Sequence, residues 1–206
     1  MKARDISLLA ITVYGAMQKF EEFTPALELC LNSSHETVLE IGSGRGGTLW
    51  AWSHLPKNKN VISVDLPGGD FGGGLTEEDK ERIQNWIDPK QNTILIAGDS
   101  HSVDTLKEVH EALSICGVTK VDILFIDGDH TYEGVKKDFE MYSPLVKEGG
   151  LILFHDIVDH TEVYPTCKVD KFWNDIKKEA REEFEFYEFV AEPKTWGGIG
   201  VIKKNG

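Results

Sequence analysis

The chain has 206 residues, of which 40% are hydrophobic and 10% aromatic, so it can bury one sizeable core but not two. Its net charge of −13 opposes non-specific binding to nucleic acid or to an anionic membrane, because contacts with phosphate need clustered Lys and Arg. The three cysteines, Cys30, Cys116 and Cys167, lie far apart and match no zinc spacing, which indicates reduced thiols in a cytoplasm.

The N-terminal segment predicts two helices. Apolar residues recur at helical spacing through residues 5–22, which predicts an amphipathic helix over that range. Its apolar run, residues 6–13, is too short to span a membrane, and no signal-peptide cleavage site is evident. Thr24 and Pro25 are typical of a cap and a first-turn proline, so a second, short helix is expected to begin there.

From residue 37 onwards, predicted strands and helices alternate. Apolar runs without polar alternation predict strands covered on both faces, at residues 37–41, 61–65, 93–97, 121–126 and 151–154. Helices are predicted around residues 48–54, 76–87, 103–113, 135–144 and 169–181. The last two runs, residues 184–190 and 199–202, predict an antiparallel pair at a sheet edge. We therefore expect one α/β domain over residues 1–206, with residues 1–34 forming a cap or an interface on a core of residues 35–206.

The segment after the first strand predicts a nucleotide or nucleoside site. Gly42, Gly44 and Gly46 form a turn between a buried strand and a helix, and glycines let backbone N–H groups approach a ligand closely. Glu40 precedes the first of these glycines. A pyrophosphate would gain nothing from a carboxylate there, whereas a cationic ligand that bears an amino acid, such as S-adenosylmethionine, would.

A nicotinamide-binding site is the main alternative for this turn. Gly42, Gly44 and Gly47 also satisfy the dinucleotide-binding pattern, and Asp65 lies near the distance expected for an acid that binds ribose. The position of Glu40, the lack of room for a separate substrate domain and the antiparallel C-terminal pair argue against a dehydrogenase.

A second glycine-rich segment follows the second strand. Residues 67–74 contain five glycines and lie at the carboxyl end of the sheet, where open α/β sheets bind ligands. The segment is either a mobile lid or an ordinary surface loop.

Five motifs in order resemble the class I S-adenosylmethionine-dependent methyltransferases over residues 35–203. The resemblance is to the small O-methyltransferases of the catechol and caffeoyl-CoA type, and closer still to the metal-dependent methyltransferases of antibiotic pathways once called cephalosporin hydroxylases. The motifs are EIGSGRG at residues 40–46, SVD at 63–65, GDS at 98–100, FIDGDHTY at 125–132 and FHD at 154–156. The resemblance implies a single doubly wound, Rossmann-like seven-stranded sheet, mostly parallel with an antiparallel last strand, in the order 3-2-1-4-5-7-6.

The resemblance also assigns the residues that bind the cofactor. The backbone of Gly42, Ser43, Gly44 and Gly46 would pack against the methionine portion of S-adenosylmethionine. The Asp65 carboxylate would accept both ribose hydroxyls. Asp99 would accept the adenine amino group, with Ser100 beside it and Asp127 at the reaction centre. For Asp99, a cap on the helix that follows is the alternative.

Asp127 and Asp156 each end a predicted apolar strand, and the two strands are expected to be neighbours. Two carboxylates brought together without a cation repel each other, and a divalent ion such as Mg²⁺ or Mn²⁺ resolves this with oxygen ligands. The related families place a metal on these two positions. The third ligand is open, because Ile157 and His155 stand where the two families carry Asn and Glu. His155 would supply nitrogen and favour Mn²⁺, Fe²⁺ or Zn²⁺, or it packs against Asp156 without binding an ion.

His130 is the candidate general base, since it stands where the catechol-type enzymes carry a lysine and imidazole is a competent base near pH 7. Its alternative role is a histidine at a helix start, bonded to Asp129 or Thr131. Other candidates for the acceptor region are Asp159, His160 and the segment Trp196-Gly197-Gly198, whereas Trp50 and Trp52 are expected in the core.

The residues and the resemblance together predict metal-assisted O-methylation of a small hydroxylated molecule in the cytoplasm. No nucleic-acid or membrane partner is expected, and relatives of this kind often form homo-oligomers. Two alternatives are an NAD(P)-dependent reductase and a non-catalytic module that binds the cofactor.

Overall fold

The computed structural model describes residues 1–68, 74–180 and 184–205. Its strands are β1 (Thr37–Ile41), β2 (Asn60–Asp65), β3 (Asn92–Ala97), β4 (Val121–Ile126), β5 (Val146–His155), β6 (Phe184–Phe189) and β7 (Ile199–Lys204). They form one sheet in the order β3-β2-β1-β4-β5-β7-β6. Strands β1 to β5 pair in parallel, whereas β7 is antiparallel to both β5 and β6. The predicted fold class and strand order are therefore confirmed.

Helices cover both faces of the sheet. They are α1 (Ala3–Thr12), α2 (Phe20–Leu31), α3 (Gly47–Ser53), α4 (Glu77–Gln84), α5 (Val103–Ile115), α6 (Tyr132–Tyr142) and α7 (Val169–Glu179). Helices α1 to α4 contribute to one core cluster, which contains the buried side chains of Phe23 and Trp52. Helices α5 to α7 contribute to the other cluster, which contains Trp173. Every residue of β1 and β4 is buried, which explains why neither sequence alternates between apolar and polar residues. Trp50 and Trp52 lie in the core, as predicted.

The predicted helix over residues 5–22 is confirmed as far as Thr12 and wrong beyond it, because α1 ends there. Gly15 has a left-handed conformation (φ 80°), and the Ala16 N–H turns back to donate to the Ala10 carbonyl at 2.9 Å. This break lets residues 15 and 16 pass over Gly47, where a Cβ atom would lie 2.1 Å from the Ala16 nitrogen. Amphipathic spacing alone does not reveal such a crossing.

The predicted start of the second helix is also wrong. Helix α2 begins at Phe20, so Pro25 lies inside it rather than in its first turn. Glu22 marks this start, because its Oε1 accepts the Lys19 N–H at 2.9 Å, which is one of the two bonds of a capping box.

Two other predictions concern glycine-rich segments. Strand β5 begins at Val146, five residues before the predicted start, and includes Gly149 and Gly150 next to an irregularity in its pairing with β4. In the proposed lid at residues 67–74, residues 69–73 lie outside the described residues.

Among the helices that the structure describes, none combines the length and the apolar character needed to cross a bilayer.

Candidate active site

A cavity of about 480 Å³ lies at the carboxyl ends of β1 to β4. Its wall combines the glycine turn after β1, the ends of β2 and β3, the loop after β4 and the crossing segment at residues 15–18. The predicted residues that line it are Gly42, Ser43, Gly44, Asp65, Asp99, Ser100, Asp127 and His130. The fold therefore brings most of the predicted cofactor residues to one place.

The glycine turn is held close to the loop after β4. A Cβ atom on Gly42, which has a φ of 85°, would lie 2.1 Å from the Asp127 carbonyl oxygen, so no side chain fits there. Gly46 is the N-cap of α3 and packs on Ile83 instead of lining the cavity. The turn thus supplies backbone, and little side-chain bulk, to the cavity wall.

Asp65 points its carboxylate at this turn. Its Oδ2 accepts the Gly44 N–H at 2.7 Å and lies 3.3 Å from the Ser43 hydroxyl, while its Oδ1 accepts the Leu66 N–H at 2.7 Å. Burial raises the pKa of Asp65, against the opposing effect of these hydrogen bonds. The carboxylate is therefore held in one orientation at the cavity wall.

Asp99 and Ser100 line the cavity beside His101. Asp99 Oδ1 accepts the His101 N–H at 2.9 Å, but helix α5 is capped by Ser102, so the alternative role of Asp99 as its cap is wrong. His101 Nε2 lies 3.3 Å from Asp138, a side chain with no exposed surface. The hydrogen bond to Asp138 raises the pKa of His101. The Asp99 carboxylate itself is largely exposed and able to accept a bond from a ligand.

Glu40 lies behind the cavity wall rather than on it. Its side chain is fully buried, and Oε1 accepts the Trp52 indole N–H at 2.9 Å. Burial raises the pKa of Glu40 to about 8, although hydrogen bonds partly oppose the shift. The predicted contact between Glu40 and the amino-acid end of a ligand stays a prediction.

Asp127, His130, His155 and Asp156 form a carboxylate–histidine cluster at the ends of β4 and β5. Asp127 Oδ1 lies 3.3 Å from His130 Nε2 and 3.3 Å from His155 Nδ1. Asp156 Oδ2 lies 3.6 Å from His130 Nδ1, and its Oδ1 lies 3.7 Å from His155 Nδ1. The two predicted strand-end carboxylates are therefore neighbours, and two imidazole rings stand between them.

The charges in this cluster shift its titration. Burial raises the pKa of Asp127, but the charges and hydrogen bonds of His155 and His130 outweigh it and lower the pKa to about 2. Burial lowers the pKa values of both histidines, but the nearby carboxylates outweigh this effect. The pKa of His130 is therefore raised, and the pKa of His155 is raised well above its usual value.

Two residues of this site were not predicted. Gln18 lines the cavity and donates its Nε2–H to Asp127 Oδ2 at 2.8 Å. Glu22, which is fully buried, lies 3.1 Å from His155 Nε2 through its Oε1. Each contact joins residues more than 100 positions apart, and no local pattern in the sequence relates them.

The cluster offers ligand atoms for a metal ion. One atom each from Asp127, His155 and Asp156 lies within 4.8 Å of the other two, and the same holds for His130, Asp156 and Cys167. Burial raises the pKa of Cys167 to about 11, so its thiol is protonated by itself. The first group is the predicted set of metal ligands. The second contains Cys167, which the sequence analysis did not predict as a ligand.

The predicted acceptor region surrounds the cluster. His160 Nε2 lies 3.8 Å from Asp156 Oδ1, whereas Asp159 uses its Oδ1 to accept the Thr161 N–H at 3.0 Å. The partly exposed Trp196 ring lies 6.3 Å from the His155 ring, between centroids, and Lys19 Nζ lies over Trp196. An aromatic side chain thus stands beside the cluster.

The chain has relatives among known proteins. A family model described as a methyltransferase domain matches residues 39–157. An uncharacterized protein of Acanthamoeba polyphaga mimivirus is 29% identical over 174 residues, which are 79% of this chain and 71% of that protein.

Two solved structures show the same fold. An O-methyltransferase from Bacillus cereus in complex with SAH (S-adenosylhomocysteine) matches with a TM-score of 0.61 at 15% identity, over 98% of this chain and 90% of that chain. The MycE methyltransferase of the mycinamycin biosynthetic pathway, in complex with Mg, SAH and mycinamycin VI, has a TM-score of 0.65 at 17% identity. That match covers 100% of this chain and 54% of MycE, so this chain spans about half of that protein.

Proposed function

This chain belongs to the methyltransferase domain family, and we propose that it transfers a methyl group from S-adenosylmethionine to a hydroxyl oxygen of a small molecule, assisted by a divalent metal ion. When bound, S-adenosylmethionine supplies an electrophilic methyl group, and the ion supplies a Lewis acid that lowers the pKa of the acceptor hydroxyl.

The charge of the cavity is the observation that carries the choice of cofactor. Among the described residues, four carboxylates line it, from Asp65, Asp99, Asp127 and Asp129, against the positive charges that Arg45, His101 and His130 can carry. Such a wall favours a ligand with a sulfonium and an ammonium group over the pyrophosphate of a nicotinamide dinucleotide. The Bacillus cereus and MycE structures, both complexes with SAH, support this choice.

Asp65 and Asp99 are suited to opposite ends of the nucleoside. The Asp65 carboxylate can only accept hydrogen bonds, which fits a pair of ribose hydroxyls. Asp99, farther along the sheet edge, would accept the adenine amino group beside Ser100. The turn at Gly42, Ser43 and Gly44 would face the methionine portion, with Glu40 buried behind it.

The donor set of Asp127, His155 and Asp156 fits a divalent ion. Ligands that stand at right angles about 2.1 Å from an ion are about 3 Å apart, close to the 3.3 Å and 3.7 Å between His155 Nδ1 and the two carboxylates. MycE, which was solved with Mg, supports a metal in this fold. One nitrogen among the donors favours Mn²⁺ and its heavier neighbours over Mg²⁺.

His130 is suited to accept the hydroxyl proton of the acceptor. It lines the cavity, and its two ring nitrogens face Asp127 and Asp156. With an ion bound to these carboxylates, the charge that raises the pKa of His130 would be offset, which would leave the ring neutral and able to take a proton. Gln18 holds the other oxygen of Asp127, which keeps that carboxylate turned toward the cluster.

Residues 1–34 would complete the acceptor side as a cap. Segment 15–18 lines the cavity and the start of α2 reaches His155, so a small acceptor would enter between these residues and Trp196. A small hydroxylated molecule is the acceptor class that we propose, without a nucleic-acid or membrane partner.

Calorimetric titration tests this function. Chelator-treated protein should bind SAH with micromolar affinity, and Mn²⁺ or Mg²⁺ should then bind with measurable heat. Asp156→Asn should abolish metal binding and methyl transfer to a panel of hydroxylated acceptors but retain SAH binding, because Asp156 does not line the cofactor cavity. Glu162→Gln, an exposed substitution nearby, is the matched control.

The other functions predict different results. Binding of NADH without SAH would establish a reductase. Binding of SAH without metal binding or transfer would establish a non-catalytic module.

A further inference from the structure

The Glu22 carboxylate is fully buried at the start of α2, and the proposed reaction does not use it. Its Oε1 accepts the Lys19 N–H at 2.9 Å and lies 3.1 Å from His155 Nε2. Its Oε2 accepts the Gly198 N–H at 2.7 Å. The carboxylate thus joins α2, the turn before β7 and the end of β5.

The turn before β7 is shaped around this carboxylate. Gly197 and Gly198 both have left-handed conformations, and a Cβ atom on Gly197 would lie 3.0 Å from each carboxylate oxygen of Glu22. A side chain at either position would be strained by the backbone, and one at Gly197 would also be crowded by Glu22. A capping role for α2 alone would not require this close approach from the other end of the chain.

The two nitrogens of His155 face different carboxylates. Nε2 faces Glu22, and because a carboxylate only accepts hydrogen bonds, Nε2 donates to it. The other nitrogen, Nδ1, faces Asp127 Oδ1 at 3.3 Å and Asp156 Oδ1 at 3.7 Å. Histidines that bind metal ions commonly donate their second N–H to a carboxylate, which fixes the ring and its tautomer.

We propose that Glu22 is a positioning residue that holds His155 through Nε2, so that Nδ1 completes, with Asp127 and Asp156, a site selective for divalent transition metals over Mg²⁺. This inference rests on the metal site of the proposed function. It adds the residue that orients the nitrogen ligand, on which the preference for transition metals depends.

Glu22→Gln tests the proposal in the full chain. The amide keeps the size of the side chain but loses one acceptor and turns an N–H group toward either Gly198 or His155. Calorimetry should show Mn²⁺ and Co²⁺ affinities reduced about 10- to 100-fold, with SAH affinity unchanged. Glu21→Gln, on the exposed side of the same helical turn, should change neither affinity.

A double variant separates positioning from a general structural effect. In a His155→Ala background, Glu22→Gln should cause no further loss of Mn²⁺ affinity, because the ligand that it orients is gone. A further loss of similar size would overturn the proposal, as would unchanged Mn²⁺ affinity in the single variant.

Long-range ¹⁵N NMR of the Zn²⁺-loaded wild-type protein gives a readout that does not depend on how the variants fold. The His155 signals should show Nδ1 coordinated to the ion and Nε2 protonated, and coordination through Nε2 would overturn the proposal. Wild-type Mn²⁺ affinity no higher than Mg²⁺ affinity would also overturn it. If the wild-type protein binds none of these ions, both the metal site of the proposed function and this inference are wrong. If it binds them and only the results for the Glu22→Gln variants disagree, this inference alone is wrong.

Discussion

Asp65 and Glu40 are carboxylates on the adjacent strands β2 and β1 with contrasting surroundings. Asp65 lines the cavity and accepts two backbone N–H groups at 2.7 Å. Glu40 is fully buried, with hydrogen bonds from the side chains of Trp52 and Thr48 and none from a backbone N–H group among the described residues. Asp65 is therefore suited to bind a ligand as an anion, whereas Glu40 is stable in the fold mainly as a neutral acid.

Asp65→Asn should weaken SAH binding by about 10- to 100-fold. The substitution removes a charged acceptor, and hydrogen bonds to charged groups contribute roughly 1.5–3 kcal/mol each. Calorimetry with SAH measures the change, and Asp88→Asn, on an exposed residue, is the control. Unchanged affinity would show that the ribose lies elsewhere.

Glu40→Gln should change how stability depends on pH. The pKa of Glu40 is about 8 in the fold against an ordinary value of 4.5, so between these pH values the folded state holds a proton that the unfolded state has lost. The free energy of unfolding of the wild type therefore falls as pH rises through this window, and the variant lacks that loss.

Urea unfolding at pH 4.5, 6.5 and 8.5 measures this effect. The variant should gain stability relative to the wild type as pH rises, on the order of a few kcal/mol in total. Glu28→Gln, on an exposed residue of α2, should show no such trend. A constant difference between Glu40→Gln and the wild type would contradict the prediction.

At the scale of elements, the loop between β4 and α6 positions Asp127 and His130. Thr131 is the N-cap of α6 and accepts the Gly134 N–H at 3.0 Å, while Asp129 Oδ1 accepts the Thr131 N–H at 2.8 Å. These two bonds fix the turn that carries the candidate base. His130 lies in this turn, with its ring nitrogens 3.3 Å from Asp127 and 3.6 Å from Asp156.

Thr131→Ala should lower the free energy of unfolding by about 1 kcal/mol, since it removes the cap of α6. Thr131→Ser retains the hydroxyl and should stay within a few tenths of a kcal/mol of the wild type. Urea unfolding curves of the three proteins measure the difference. Equal losses in both variants would mean that the threonine methyl group, and not the cap, stabilises this turn.

The sequence predicted the elements whose signals are local. Strands such as β4 are buried on both faces, so their apolar runs are evident in the sequence. Asp127 and Asp156 could be predicted as site residues because each comes directly after such a run. Gln18 and Glu22 could not be found in this way, because their partners are brought near only by the folded sheet. The helical spacing of residues 5–22 likewise concealed the break at Gly15, which depends on contact with Gly47.

At the scale of the whole molecule, the net charge of −13 sets what the surface attracts. We expect no binding of duplex DNA or structured RNA in 0.15 M KCl, because release of counterions from phosphates requires clustered positive charge. Fluorescence anisotropy with labelled nucleic acids, and a basic protein as positive control, measures this. A dissociation constant below about 10 μM would contradict the prediction, since non-specific binders commonly reach 10⁻⁴–10⁻⁶ M.

The bond between Glu22 and Gly198 spans 176 positions and has a consequence for protein synthesis. While a ribosome makes the chain, the glycine turn and both strand-end aspartates emerge well before residue 198. At that stage Glu22 still lacks the partner that fixes its second oxygen. A nascent chain would therefore hold an unfinished cluster, and the proposed metal site would be complete only after β7 has been translated and inserted between β5 and β6.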